Sequence, residues 1–281
     1  MRITSFQSLF EIDHKVEVRI NVTNICNLHC NFCDHDAHLP FDKHGDKIFR
    51  KTPLVATLEA VEQFCKVLSG VGEKERHVLQ GGEITVLPVK SIVQIIETFH
   101  SFGRRIGMRT NGYNVTGIPL DSLNKLEFIY LDAHGNNQEA IEHCRAFLGK
   151  NYEGEVINEE RLYHRDPAAF LNHSQGTIEQ GLNCNHLLAT LTYFPPIIHP
   201  CCNSWALMNA LNDGTLGEML IKAGWTADNL DLKNTLANWR QTLPKPFLET
   251  FCANSCYMTA PNISSPPQQI QPHHLDRALK R

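Results

Sequence analysis

The stretch from Lys15 to Thr23, KVEVRINVT, alternates Val and Ile with polar residues at period two, which predicts a strand with one apolar and one polar face. Beyond it, TPLVATLEAVEQFCKVLSGVG opens on Thr52-Pro53, sets Leu54, Leu58, Val61, Cys65 and Leu68 at helical spacing, and closes on Gly70. The rhythm then recurs. RHVLQGGE, RIGMRTNG and KLEFIYLDAHG read as strands, while VKSIVQIIETFHSFG and NNQEAIEHCRAFLG read as amphipathic helices. Strands separated by helical segments imply βαβ units on a parallel sheet, where ligands gather at the C-terminal strand ends. The polar and glycine-rich stretches fall at those ends: the loop after Thr23, Gly81-Gly82-Glu83, Thr110-Asn111-Gly112 and Asp132-Ala133-His134-Gly135.

Past residue 150 the rhythm weakens. NYEGEVINEERLYHRDPAAFLNHSQGTIEQG predicts one more strand and a short helix, HLLATLTYFPPIIHPCC two short strands about Pro195-Pro196, and GTLGEMLIKAGW a helix. The last segment, PNISSPPQQIQPHHLDRALKR, is rich in Pro, Gln and Ser and reads as a loose tail.

Composition narrows the class of protein. The 281 residues carry a formal charge of -4, so there is no basic surplus to hold nucleic acid or an anionic membrane, and a small-molecule or peptide partner is expected. No run of about 18 apolar residues occurs, and charges enter the N-terminal stretch early, which predicts a cytoplasmic protein. Ten cysteines exceed what a core needs, and a reducing compartment argues for metal or redox chemistry over a disulfide framework.

Three of those cysteines, Cys26, Cys30 and Cys33, stand as C-x3-C-x2-C in CNLHCNFC, with Phe32 beside the last. A structural zinc site takes four ligands, and His29, His35 or His38 could complete one, but the spacing is unusual for zinc. Three thiolates from one loop can instead hold three corners of a cuboidal iron-sulfur cluster and leave the fourth iron open.

This stretch resembles the signature of the radical S-adenosylmethionine (SAM) superfamily, and the resemblance runs over residues 15 to 150. LQGGE resembles the family's GGE motif and MRTNG its TNG segment, in the expected order. The resemblance implies a 4Fe-4S cluster on Cys26, Cys30 and Cys33 whose open iron binds SAM. Reductive cleavage of SAM then makes a 5'-deoxyadenosyl radical that abstracts hydrogen from a substrate carbon, with electrons from a reductase such as flavodoxin or ferredoxin. It further implies that Glu83 and the Gly81-Gly82 backbone meet the SAM amine, and that Asn111 and Asp132 face ribose hydroxyls.

A second set, Cys184, Cys201, Cys202, Cys252 and Cys256, resembles the twitch form of the SPASM extension. That implies a second, fully capped 4Fe-4S cluster on Cys184, Cys202, Cys252 and Cys256. Cys201 rivals Cys202, because neighbours in an extended segment point opposite ways, and a four-cysteine zinc site is the plain alternative. A capped cluster implies an oxidation, dehydrogenation or crosslinking, as in aminocyclitol dehydrogenases and peptide-maturing relatives. An epimerase using Cys201 or Cys144 as hydrogen donor, or a non-catalytic zinc or iron-sulfur module, are the other readings.

Cys65 and Cys144 fall on apolar helix faces and read as small buried residues. Arg109 and Arg161 could meet a carboxylate or stand in ordinary ion pairs, and His134 could contact substrate from its loop. The expected architecture is a partial (β/α)6 TIM-like barrel over residues 1–175, an auxiliary-cluster domain over 176–260 and a tail over 261–281.

Overall fold

The computed structural model describes residues 17–28, 55–68, 76–133, 137–160, 190–201, 224–228 and 230–242. Its elements are β1 (Glu17–Thr23), α1 (Leu58–Val67), β2 (His77–Gly81), α2 (Val89–Ser101), β3 (Ile106–Thr110), α3 (Leu120–Leu123), β4 (Phe128–Ala133), α4 (Gln138–Asn151), β5 (Glu155–Glu160), β6 (Thr190–Phe194), β7 (Ile197–His199), β8 (Trp225–Thr226) and α5 (Leu232–Thr242). They build one sheet in the order β5-β4-β3-β2-β1-β6-β7-β8. The first six strands all pair in parallel, while β7 and β8 add antiparallel at the edge. This α/β architecture is that of a partial TIM-like barrel.

The alternation seen in the sequence becomes two unlike faces. Partners across a parallel pair share a face, and Ile20, Leu79, Met108 and Ile129 form one row over four strands, all fully buried. The helices cover that side: Phe64 of α1 stacks on Tyr193 of β6 at 3.8 Å between ring centroids, and the Tyr193 hydroxyl donates to the Ala60 carbonyl at 2.9 Å. The opposite face is mixed, polar toward β6 and β7 and at the strand ends: Arg19 of β1 aligns there with Thr192 of β6 and His199 of β7 on one side and with Val78, Gly107 and Phe128 on the other, while Asn21 aligns with Gln80 and Arg109 with Tyr130. Gln80 Nε2 donates to Asn21 Oδ1 and Asn21 Nδ2 to the Tyr193 carbonyl, both at 3.3 Å, which links β2, β1 and β6 across that face.

Three expectations need correction. The helix expected to open at Thr52-Pro53 begins at Leu58, with Thr57 as its N-cap accepting from Ala60 N at 3.2 Å. The chain is first held beside β1, where Ala56 N donates to the Val22 carbonyl at 2.8 Å, so it cannot coil until it has passed the strand end. The division at 175 does not fall at the edge of the sheet. β6, inside the range assigned to the auxiliary domain, is the sixth parallel strand and lies beside β1, and β7 and β8 extend the same sheet.

Trp225, the last residue of the stretch expected to be a helix, lies in β8, with its ring edge-on to Trp239 of α5 at 6.0 Å; residues 214–223 of that stretch lie outside the described residues. α5 has no counterpart among the expectations, although Asp231 accepts from Asn234 N as a helix cap would, and Leu232, Leu236 and Trp239 are buried at helical spacing. The tail over 261–281 lies outside the described residues.

Candidate functional site

The ends of β1, β2, β3 and β4 meet in a compact polar network. The loop after β1 turns at Thr23, whose hydroxyl accepts from Ile25 N at 3.1 Å, and runs directly into Cys26. The turn after β2 is laid against it: Gly82 N donates to the Thr23 carbonyl at 2.8 Å and Glu83 N to the Ile25 carbonyl at 2.7 Å. Glycine is required twice here. Gly81 has φ of +148°, and a Cβ on it would overlap the Thr23 carbonyl oxygen; a Cβ on Gly82 would overlap that of Ile25.

Glu83 is only 2 % exposed. Its Oε1 accepts from Thr85 N at 3.0 Å and from the hydroxyls of Thr85 and Thr110, each at 2.8 Å; its Oε2 accepts from Asn111 N at 2.7 Å. Burial pushes this carboxyl above the usual carboxylate range, and those four donors pull against the shift.

Asn111 continues the network. Its Nδ2 donates to Asn27 Oδ1 at 2.8 Å and its Oδ1 accepts from Tyr113 N at 3.2 Å, tying the turn after β3 to the residue beside Cys26. Asn137 Nδ2 bridges the Asn111 and Asp132 carbonyls, both at 2.8 Å. Asp132 receives Arg109 Nη1 on both carboxylate oxygens, at 2.9 and 3.2 Å, and the same guanidinium lies 4.6 Å from the Tyr130 ring centroid. Arg109 is thus the paired arginine of the plainer reading.

Asn27 and Asn137 were not singled out from the sequence. Asn137 precedes a helix, where asparagine is common as a cap, but its side chain serves the strand ends instead. Nothing in the local pattern marks Asn27.

Of the cluster cysteines, Cys26 is half-buried, with Leu28 N donating to its Sγ at 3.3 Å. Cys30, Cys33 and Phe32 lie outside the described residues, as do Cys184, Cys202, Cys252 and Cys256, together with Arg161 and His134. Cys201 follows β7 and is buried in the apolar core. Cys65 and Cys144 are fully buried, and burial pushes both thiols up to about 12. At pH 8 only about one in ten thousand of such thiols is ionised. Iodoacetamide at that pH should therefore leave Cys65 and Cys144 unlabelled in the native chain and label both after denaturation, as read by peptide mass spectrometry.

Cys26 suits an iron-sulfur ligand: a half-buried sulfur just past a strand end, oriented by a backbone N–H. The arrangement defines a class. The model of the Radical SAM superfamily matches residues 20–158, and through that segment the chain belongs to the radical SAM superfamily. A 4Fe-4S cluster and SAM are the cofactors that this family implies.

Two curated relatives are named for one reaction. A "Probable GTP 3',8-cyclase" of Methanothermobacter marburgensis is 35% identical over 98 residues, 34% of this chain and 28% of the relative. The "GTP 3',8-cyclase" of Aeromonas hydrophila subsp. hydrophila is 24% identical over 157 residues, 50% of this chain and 44% of the relative. The match thus spans less than half of either relative. Among solved structures, BtrN in complex with AdoMet and 2-DOIA has a TM-score of 0.51 at 15% identity, covering 83% of this chain and 87% of that one, which is a likeness of fold. No helix among the described residues is long and apolar enough to cross a membrane.

Proposed function

We propose that the chain oxidises a hydrophilic substrate, a small molecule or a peptide, by dehydrogenation or crosslinking. The observation that carries the reading is the polar part of the sheet's mixed face, where Arg19, Asn21, Gln80, Thr192 and His199 stand beneath the network at the strand ends. Hydroxyl, amide or phosphate groups of a substrate suit such side chains better than an apolar surface does.

Cys26, Cys30 and Cys33 would hold the first cluster, and Cys184, Cys202, Cys252 and Cys256 the second. Cys201 is occupied in the apolar core, which supports its neighbour Cys202 as the ligand. Bound there, a 4Fe-4S cluster and SAM supply hydrogen abstraction from an unactivated carbon, and a capped second cluster supplies an acceptor for the electron left behind. The chain's own part is placement. The Gly81-Gly82 turn holds the cysteine loop at the end of β1, the Asn27–Asn111 bond fixes the third turn beside it, and Arg109 holds Asp132 oriented at the rim. A flavodoxin- or ferredoxin-type reductase is the partner this chemistry needs.

The relatives named GTP 3',8-cyclase favour a second reading, radical cyclisation of a purine nucleotide on the same polar face. One experiment serves both. The protein is reconstituted without oxygen, its iron and sulfide are counted, and it is given SAM and dithionite with and without GTP. About eight irons per chain with SAM cleavage support two clusters, while about four remove the second. A cyclised GTP product would replace the oxidation reading. Cys252→Ala should lower iron by about half and spare SAM cleavage while blocking substrate turnover; full iron in that variant would sink the auxiliary-cluster assignment.

A further inference from the structure

Four protein donors reach the Glu83 carboxylate before any ligand arrives: Thr85 N and the Thr85 and Thr110 hydroxyls crowd Oε1, and Asn111 N holds Oε2. Its direction agrees with that count. Thr110 pairs with Leu131 on the apolar, helix-covered face, whereas Arg109 faces the polar side, so the hydroxyl that meets Glu83 lies behind the sheet. The Glu83 charge also reaches Cys144 in the helix-side core and pushes that thiol up further.

We propose that Glu83 is a positioning residue: its carboxylate, turned toward the helix layer, clamps the Asn111 turn to the Gly81-Gly82 turn. SAM is then met by the backbone of that turn. This rests on reading the strand ends as the SAM site. Through Asn111 the clamp extends to Asn27, so one buried carboxylate sets the distance between the cluster loop and the two turns that face it. An ammonium would reach the Glu83 carboxylate only through a site 2 % exposed, at an oxygen, Oε2, that already holds the Asn111 turn.

The test uses the reconstituted holoenzyme and the variants Glu83→Gln, Glu83→Asp and Thr110→Val, the last removing a donor to Glu83 with little change of shape. SAM affinity is read from the change it causes in the electron paramagnetic resonance of the reduced cluster. Backbone hydrogen exchange is read without SAM at Asn111, whose N–H the Glu83 carboxylate accepts, and not at Gly112, whose N–H is bonded to the Thr110 hydroxyl itself. Glu83→Gln and Thr110→Val should both weaken SAM binding by about three- to ten-fold and both speed exchange in the turn, with iron content unchanged. Glu83→Asp, one methylene shorter, should not restore either.

Wild-type SAM affinity and exchange in Thr110→Val, with SAM binding lost in Glu83→Gln, would overturn the proposal and return the carboxylate to the ligand. Should Thr110→Val fail to fold, Thr85→Val removes a different donor from the same oxygen and is held to the same outcomes. If the wild-type cluster shows no response to SAM, the reading of the site has failed instead. The exchange data then decide the clamp alone, and unchanged exchange in both variants overturns it.

Discussion

Gly82→Ala is expected to give a protein that folds less stably and loads little iron. The new methyl group would overlap the Ile25 carbonyl, one residue before Cys26, and neither side can yield cheaply. The Gly82 and Glu83 amides are both bonded to the same loop, at 2.8 and 2.7 Å. Moving the turn away breaks those bonds and carries Glu83 out of its four-donor pocket; moving the loop away displaces Cys26 from the strand end. Overpacking of this kind costs about 1–3 kcal/mol, a fall of several degrees in melting temperature for a chain of this size. The larger effect is on the site, because a three-cysteine cluster tolerates little displacement of one ligand. Iron and sulfide after reconstitution, together with a thermal melt, check the prediction. Full loading with an unchanged melt would show that loop and turn are not in contact as described.

The second large effect is on chemistry rather than packing. Cys26→Ala should reduce SAM cleavage to the background of dithionite alone, with iron lost from the first cluster while the thermal melt stays close to that of the parent. Cys26 is half-buried at the end of a loop and holds no apolar core together, so its removal leaves no large cavity. The control is Cys65→Ala, which shortens a fully buried side chain on the core face of α1. It should cost about 1 kcal/mol of stability and keep both iron and cleavage. Retained SAM cleavage in Cys26→Ala would remove the cysteine triplet from the mechanism altogether.

These two substitutions mark different degrees of legibility. Cys26 could be singled out from spacing alone, since the chemistry of three thiolates on one loop is local to eight residues. The role of Gly82 was readable only in outline: adjacent glycines after a strand signal a tight turn, but what the turn presses against lies nearly sixty residues back. Glu83 goes a step further. Its place after Gly81-Gly82 marked it for the site, and its burial and four donors, two of them from the turn after β3, turn that mark into a different physical role. Asn27 and Asn137 passed unremarked because side-chain amides that bridge loop to loop leave no periodic trace.

The fold divides in the same way. Strands β1 to β4 and helices α2 and α4 follow from period-two and helical spacing, because each must bury one apolar face against the same layer. The start of α1 did not follow, since a long-range bond from Ala56 to Val22 delays a helix that local propensity would begin earlier. Residues 190–194 carry β-branched and aromatic side chains that say strand, but not which strand lies beside them. Pairing with β1, more than 165 residues away, is decided by how the sheet closes on that side.

What the sequence determined by itself was therefore the set of local elements, the spacing of the cysteine triplet and the three turns that could converge on it, all consequences of residues near one another in the chain. What only the tertiary structure decided was the polar face made by aligning alternate residues of separate strands, the sixth parallel strand, and the inward turn of Glu83. Each of those depends on which distant backbone and side-chain donors come within hydrogen-bond reach when the strands pair, and that information is in no single segment.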